Sequence, residues 1–187
     1  MLASERSWNE QYVGQAWKVL ERKVHDAMQE ELEYVRFFNV MQSSGMGKSR
    51  LVDEYSKHHI VIPLCLREDD ETGELSCNLA ESLTPSSGFP PADSRVRDFL
   101  CPDDQSYDDS LRAAHAFLFA LFQVATRYFQ DIDKYLVEIP EISSSTSLAQ
   151  KFRRLMNTFH LRHAFYSDVI TKAREVLLLY HLCVSLH

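Results

Sequence analysis

Apolar residues at three- and four-residue steps open the chain: Val13, Trp17, Leu20, Val24, Ala27/Met28 and Leu32, with Glu, Lys and Arg between them and no proline. That spacing predicts an amphipathic helix over residues 7–33. Ser7 stands where it would cap the helix, with Glu10 as its capping-box partner. The pattern then changes. YVRFFNVM, rich in β-branched and aromatic residues, predicts a buried strand over about 34–41. QSSGMGKS breaks it, and RLVDEYSKHH predicts a short helix with Leu51, Val52 and Tyr55 turned inward. HIVIPLCLRE reads as a second strand, in which Pro63 implies an edge or a bulge.

Residues 67–106 lose all periodicity. REDDETGE is an acidic run suited to a solvated loop, and LTPSSGFPPADSRVRDFLCPDD carries four of the six prolines, which predicts ordered loop with one helical turn. Beyond it the helical period returns. Leu111, Ala114, Leu118, Phe119, Phe122 and Phe129 make one stripe, and Phe117, Leu121, Val124 and Tyr128 make another. A helix apolar on two faces is expected to lie buried between neighbours. IPEISSSTS separates it from a last helical region in which Leu148, Phe152, Leu155/Met156, Phe159, Tyr166, Val169/Ile170, Ala173 and Val176/Leu177 keep the period, with Ser145 or Thr146 as cap.

The expected fold class is therefore α/β, predominantly helical: a partial P-loop NTPase-like αβ unit with few strands, then an all-helical C-terminal half. Residues 1–106 would carry the first helix, the αβ unit and the Pro-rich loop, and residues 107–187 a helical region packed on it within one globular unit.

Composition narrows the picture. At 187 residues, with 45% hydrophobic and 11% aromatic residues, the chain can bury one core and does not read as disordered. The net charge is −7, and its sign is unevenly spread. From residue 144 onward six basic residues stand against Asp168 and Glu175, giving +4 and leaving −11 for the first 143 residues. The expectation is that the two halves answer each other across the fold. Cys65, Cys77, Cys101 and Cys183 form no CxxC pair, so neither a zinc knuckle nor a disulfide framework is signalled. No secretory signal opens the chain, and VLLLYHLCVSL is too short to span a bilayer. The chain reads as soluble and intracellular, cytoplasmic or nuclear, with no membrane partner.

The chemistry concentrates in QSSGMGKSR. A phosphate-binding loop uses glycines so that backbone N–H groups close around the anion, and the following helix adds its positive end. Lysine reaches the β/γ-phosphates, and a serine hydroxyl helps to hold Mg²⁺. Gly45, Gly47, Lys48 and Ser49 match these roles in order, with Met46 and Arg50 inside the same nucleotide-contacting stretch. The flanking strand and helix supply the context that the motif demands. One position departs: GxxxxGK[ST] opens with glycine, and Gln42 stands there.

Hydrolysis needs more, namely an acid at the end of a second hydrophobic strand. LVEIPE and AFYSD come nearest and both are interrupted, while Asp53 and Glu54 sit on the loop's own helix, where a surface role is expected. His58/His59 and His160/His163 lack partners at metal spacing. The Arg and aromatic residues between Lys151 and Arg174 fall on the helical core period, which argues for packing rather than nucleic-acid binding.

MQSSGMGKSRLVDEYSK, IVIPLCLRE and GFPPADSRVRDFL together resemble the N-terminal part of fungal P-loop proteins related to the Crinkler effectors, over roughly residues 8–130. The joined SSGMGKSR and IPLCLRE with the later FPPAD carry the resemblance. It implies that loops without the opening glycine are tolerated, and that Gly45, Gly47, Lys48 and Ser49 contact nucleotide phosphates and Mg²⁺. It also implies longer relatives, whose later segments complete the sheet and its acid; the apolar run VLLLYHLCVSLH at the end of this sequence is expected to mark either a shortened product or a helix that docks on something not present.

The function expected from the sequence is binding of ATP or GTP with Mg²⁺, in a possible P-loop NTPase that lacks a visible Walker B acid. The rival expectation is a non-catalytic protein-interaction or effector module with a relic P-loop, whose C-terminal helices bind a partner protein.

Overall fold

A computed structural model describes residues 12–29, 47–66, 92–102, 106–137 and 145–185, with side chains up to residue 180. Seven helices occupy these residues: α1 (Ala16–Gln29), α2 (Lys48–Tyr55), α3 (Ser94–Leu100), α4 (Tyr107–Gln130), α5 (Ile132–Tyr135), α6 (Leu148–Asn157) and α7 (Phe159–Ser185). There is no strand and no sheet among the described residues, so the expected α/β class with a P-loop NTPase-like αβ unit gives way to a helical fold. The strand expected over about 34–41 lies outside the described residues, as does the acidic run from residue 67. The second expected strand is present as an irregular segment, residues 60–66.

The reason is visible in that segment's hydrogen bonds. Pro63 has no N–H to give a ladder. Its carbonyl instead accepts from Arg162 Nη2 at 2.9 Å and from the Tyr166 hydroxyl. Two residues on, Cys65 N donates to Asp93 Oδ2 and Asp93 N donates to Cys65 O, both at 2.8 Å. Side chains from elsewhere satisfy the polar backbone that a sheet would otherwise have to satisfy.

The C-terminal half is the body of the molecule, and α4 against α7 is its largest helix–helix interface. Alanines make it possible. Ala113, Ala116, Ala120 and Ala125 are all buried on α4, where a small side chain lets a partner helix approach. Phe117, Val124 and Tyr128 share that face, in accord with the second predicted stripe. The first stripe does not behave as expected. Leu111, Leu118, Phe119 and Phe122 face solvent, Phe122 being 66% exposed, because α3, α5 and α7 all pack on the alanine side.

Local signals set the helix ends. Ser106 caps α4 by accepting from Asp109 N at 3.2 Å, and Asp108 and Asp109 complement the positive end of the helix. Ser147, not Ser145 or Thr146, caps α6 by accepting from Gln150 N at 3.3 Å. The last predicted helical region is two helices, parted at Thr158, whose ψ of 111° is extended.

Phe152, Leu155, Phe165 and Val169 form the centre of the core, with Val96 of α3 among them. Phe152 meets Phe129 and Phe165 edge-on, at centroid distances of 5.0 and 5.7 Å. Ile62 packs against the same cluster, which ties the irregular segment to the helical body. At the other end α1 lies on α2: Trp17 stacks on His58 at 4.4 Å, and His59 Nε2 meets Glu21 Oε1 at 2.7 Å. No helix among the described residues is long and apolar enough to cross a membrane.

Candidate functional site

The loop's described part starts at Gly47, which precedes α2 with φ 79° and ψ 22°. This left-handed conformation is one that glycine adopts without penalty, and it turns the chain into the helix. Lys48 is then the first residue of α2, Ser49 the second and Arg50 the third. Gly45 and Met46 lie outside the described residues.

Ser49 and Asp53 are four residues apart and so share a helix face. Both line a cleft of about 300 Å³ between α2, the irregular segment at Val61–Leu64 and the α6/α7 junction. Its polar lining is Ser49, Asp53, Ser56, Arg153, Asn157 and Arg162. Val52, Val61, Ile62, Pro63, Leu64 and Met156 provide the apolar wall.

Two ion pairs organise this cleft. Arg153 grips Asp53 with two prongs, Nε to Oδ1 at 2.9 Å and Nη2 to Oδ2 at 2.7 Å, and Asn157 Nδ2 adds a third bond to Oδ1 at 2.9 Å. Arg162 grips Asp93 the same way, at 2.8 and 2.6 Å. Burial acts to lower the Arg162 pKa, but the hydrogen bond and charge of Asp93 outweigh it and the net shift is upward. Burial also drives the neighbouring Tyr166 phenol well above its ordinary range, so it stays a neutral donor to Pro63 O.

Charge is answered across the fold as the sequence leads one to expect. Lys151, Arg153 and Arg162 of the basic C-terminal stretch pair with Asp133, Asp53 and Asp93 of the acidic first part. Among the described residues no group of three or more His, Cys, Asp or Glu could hold a metal ion.

The sequence reading located Ser49 but placed Asp53 on the surface, whereas its side chain is 11% exposed and lines the cleft. Arg153, Asn157, Asp93 and Arg162 were not singled out as a site. One signal pointed there: IPLCLRE and FPPAD, the pieces on which the resemblance rested, meet at Cys65 and Asp93.

A family model described as a domain of unknown function, DUF8735, matches residues 9–83. The match takes in α1, α2 and the irregular segment, and so includes Lys48, Ser49 and Asp53 but neither Asp93 nor the cleft's arginines. No curated protein and no solved structure matches the chain.

Proposed function

We propose that this chain is an intracellular protein that binds the phosphates of a nucleoside triphosphate, ATP or GTP, at the start of α2, where Gly47 and Lys48 lead into Ser49 on the cleft wall. The observation that carries this reading is the juxtaposition of that helix start with the cleft: Gly47 is left-handed before Lys48, and Ser49 lies on the cleft wall. The N-terminal end of α2 adds partial positive charge where an anion would sit. The resemblance of SSGMGKSR to nucleotide-binding loops supports the same assignment.

Mg²⁺ fits this site only as a companion of the nucleotide. Ser49 Oγ offers one protein ligand, while both oxygens of Asp53 are engaged by Arg153. The remaining ligands would be phosphate oxygens and water. Asp53, the carboxylate that shares the helix face of Ser49, is held by Arg153 and Asn157, and the proposal is confined to binding.

A second reading, a non-catalytic module that binds a partner protein through its C-terminal helices, is favoured by a separate observation. Leu118, Phe119 and Phe122 of α4 stand at least half exposed, as do Leu178 and Leu179 of α7.

Thermal unfolding with and without Mg²⁺–ATP and Mg²⁺–GTP, for wild type and Lys48→Ala side by side, separates the two. Ligand at about 100 times its dissociation constant stabilises by roughly 2.7 kcal/mol. A shift present in wild type and lost in the variant supports nucleotide binding. A folded chain that shows no shift with either nucleotide overturns it and leaves the partner-binding reading.

A further inference from the structure

Two guanidinium groups line the cleft, and they differ in what they have left to give. Arg162 is fully engaged. Its Nε and Nη2 hold Asp93, Nη2 also donates to Pro63 O, and Nη1 reaches Met156 O at 3.4 Å. Only 3% of its side chain is exposed. Arg153 uses Nε and Nη2 alone, both on Asp53, and its side chain is 22% exposed. Its Nη1 edge donates to no described group. An arginine carries five N–H donors in a fixed fork, so this one keeps unused donors in the cleft that bears Ser49.

Asp53 makes the arrangement informative. It stands one helical turn after Ser49, so a phosphate at Ser49 would lie close to a carboxylate. Like charges at that spacing repel unless a cation lies between them. Arg153 is the cation already bound there, and Asn157 holds Asp53 independently of it.

We infer that Arg153 recognises the ligand's phosphate in this cleft and that Asp53 is its built-in competitor. Resting on the phosphate-binding reading above, this adds a residue and a regulation to that site. The phosphate takes the Nη1 edge and draws the guanidinium from Asp53, which keeps its bond from Asn157. The planar fork matches phosphate oxygens, so a polyphosphate anion is favoured over a neutral ligand of similar size. Because Arg153 and Asn157 both sit on α6 and both bond Asp53 of α2, ligand at α2 is felt by the helical body through this cluster.

The test is calorimetric titration of the full chain with inorganic phosphate and, separately, with Mg²⁺–ATP, alongside thermal unfolding of each variant. Arg153→Ala is expected to weaken binding by about tenfold or more, with Arg153→Lys intermediate because it keeps the charge and loses the fork. Asp53→Asn is expected to tighten binding by about threefold or more, since it removes the competing charge and keeps the shape. Loss of repulsion alone would tighten binding equally whichever cation stands at position 153, so Asp53→Asn is also made in the Arg153→Lys background. A smaller gain there than in the wild type assigns the effect to the released guanidinium fork, and an equal gain overturns it, including where Arg153→Ala does not fold. The same pattern with inorganic phosphate assigns recognition to a single phosphate group; the pattern with Mg²⁺–ATP alone assigns it to the polyphosphate chain. Loss of binding in Lys48→Ala, with wild-type affinity in Arg153→Ala and Asp53→Asn, overturns the role of Arg153 and leaves the phosphate site standing. Absence of binding by the wild type overturns both.

Discussion

Asp93 and Arg162, far apart in sequence, share a two-pronged ion pair of 2.8 and 2.6 Å with side chains only 6% and 3% exposed. The pair does more than neutralise two charges. Asp93 also accepts from Cys65 N, and Arg162 also donates to Pro63 O, so together they fasten the irregular segment to α3 and α7. Removing one partner leaves a buried charge without its counter-charge, which typically costs about 3–5 kcal/mol. Arg162→Met is therefore expected to lower unfolding free energy by about that much in urea titrations. A loss below about 1 kcal/mol would show that the fastening is incidental.

Gly47 gives a second prediction, and one that separates backbone from packing. A Cβ there meets no atom within 4 Å, so nothing steric opposes a side chain. The φ of 79° does oppose it, because L-residues pay about 1–2 kcal/mol in the left-handed region. Gly47→Ala is expected to destabilise by about 1 kcal/mol despite the open space. Equal stability in denaturant titration would mean that the turn into α2 does not need this conformation.

How far the sequence could be read follows from where its information is local. The period of Phe117, Val124 and Tyr128, and of Phe152, Leu155 and Val169, announced the helices and the core directly, because burial on one helix face repeats along the chain. HIVIPLCLRE misled because a β-rich run is also what a segment looks like when distant side chains bind its backbone. Nothing local says that Arg162, 99 residues from Pro63, will take the place of a neighbouring strand. The first stripe of α4 misled for a related reason: period reports amphipathicity, not whether a neighbour exists to cover both faces. At the site, Lys48 and Ser49 were legible as a motif, whereas the pairing of Asp53 with Arg153 across 100 residues was not.

The two faces of α4 and the core below them predict opposite responses to truncation. Phe152 is fully buried and packed edge-on by two rings, so Phe152→Ala is expected to cost about 3–5 kcal/mol. Phe122 is 66% exposed, and Phe122→Ser is expected to change stability by no more than about 0.5 kcal/mol. Paired urea titrations check both. A large loss at Phe122 would mean that the stripe is covered in solution.

His163 supplies a pH dependence whose sign can be fixed. Burial and then the charge of Arg95 lower its pKa, so the fold favours the neutral ring. The stabilisation is fully present above the unfolded value of about 6.5 and is lost as pH falls through the lower folded value. Phe159 stacks on the same ring, with centroids 6.3 Å apart, and Arg95 is held nearby through Ser167. His163→Gln is therefore expected to lose less stability than wild type when pH drops from about 7.5 to about 5.5. Titration of the ring by NMR should show a pKa below the ordinary histidine value, moving upward in Arg95→Gln. A ring that titrates at or above that ordinary value removes the basis of the prediction, and an identical pH slope in the two proteins refutes it.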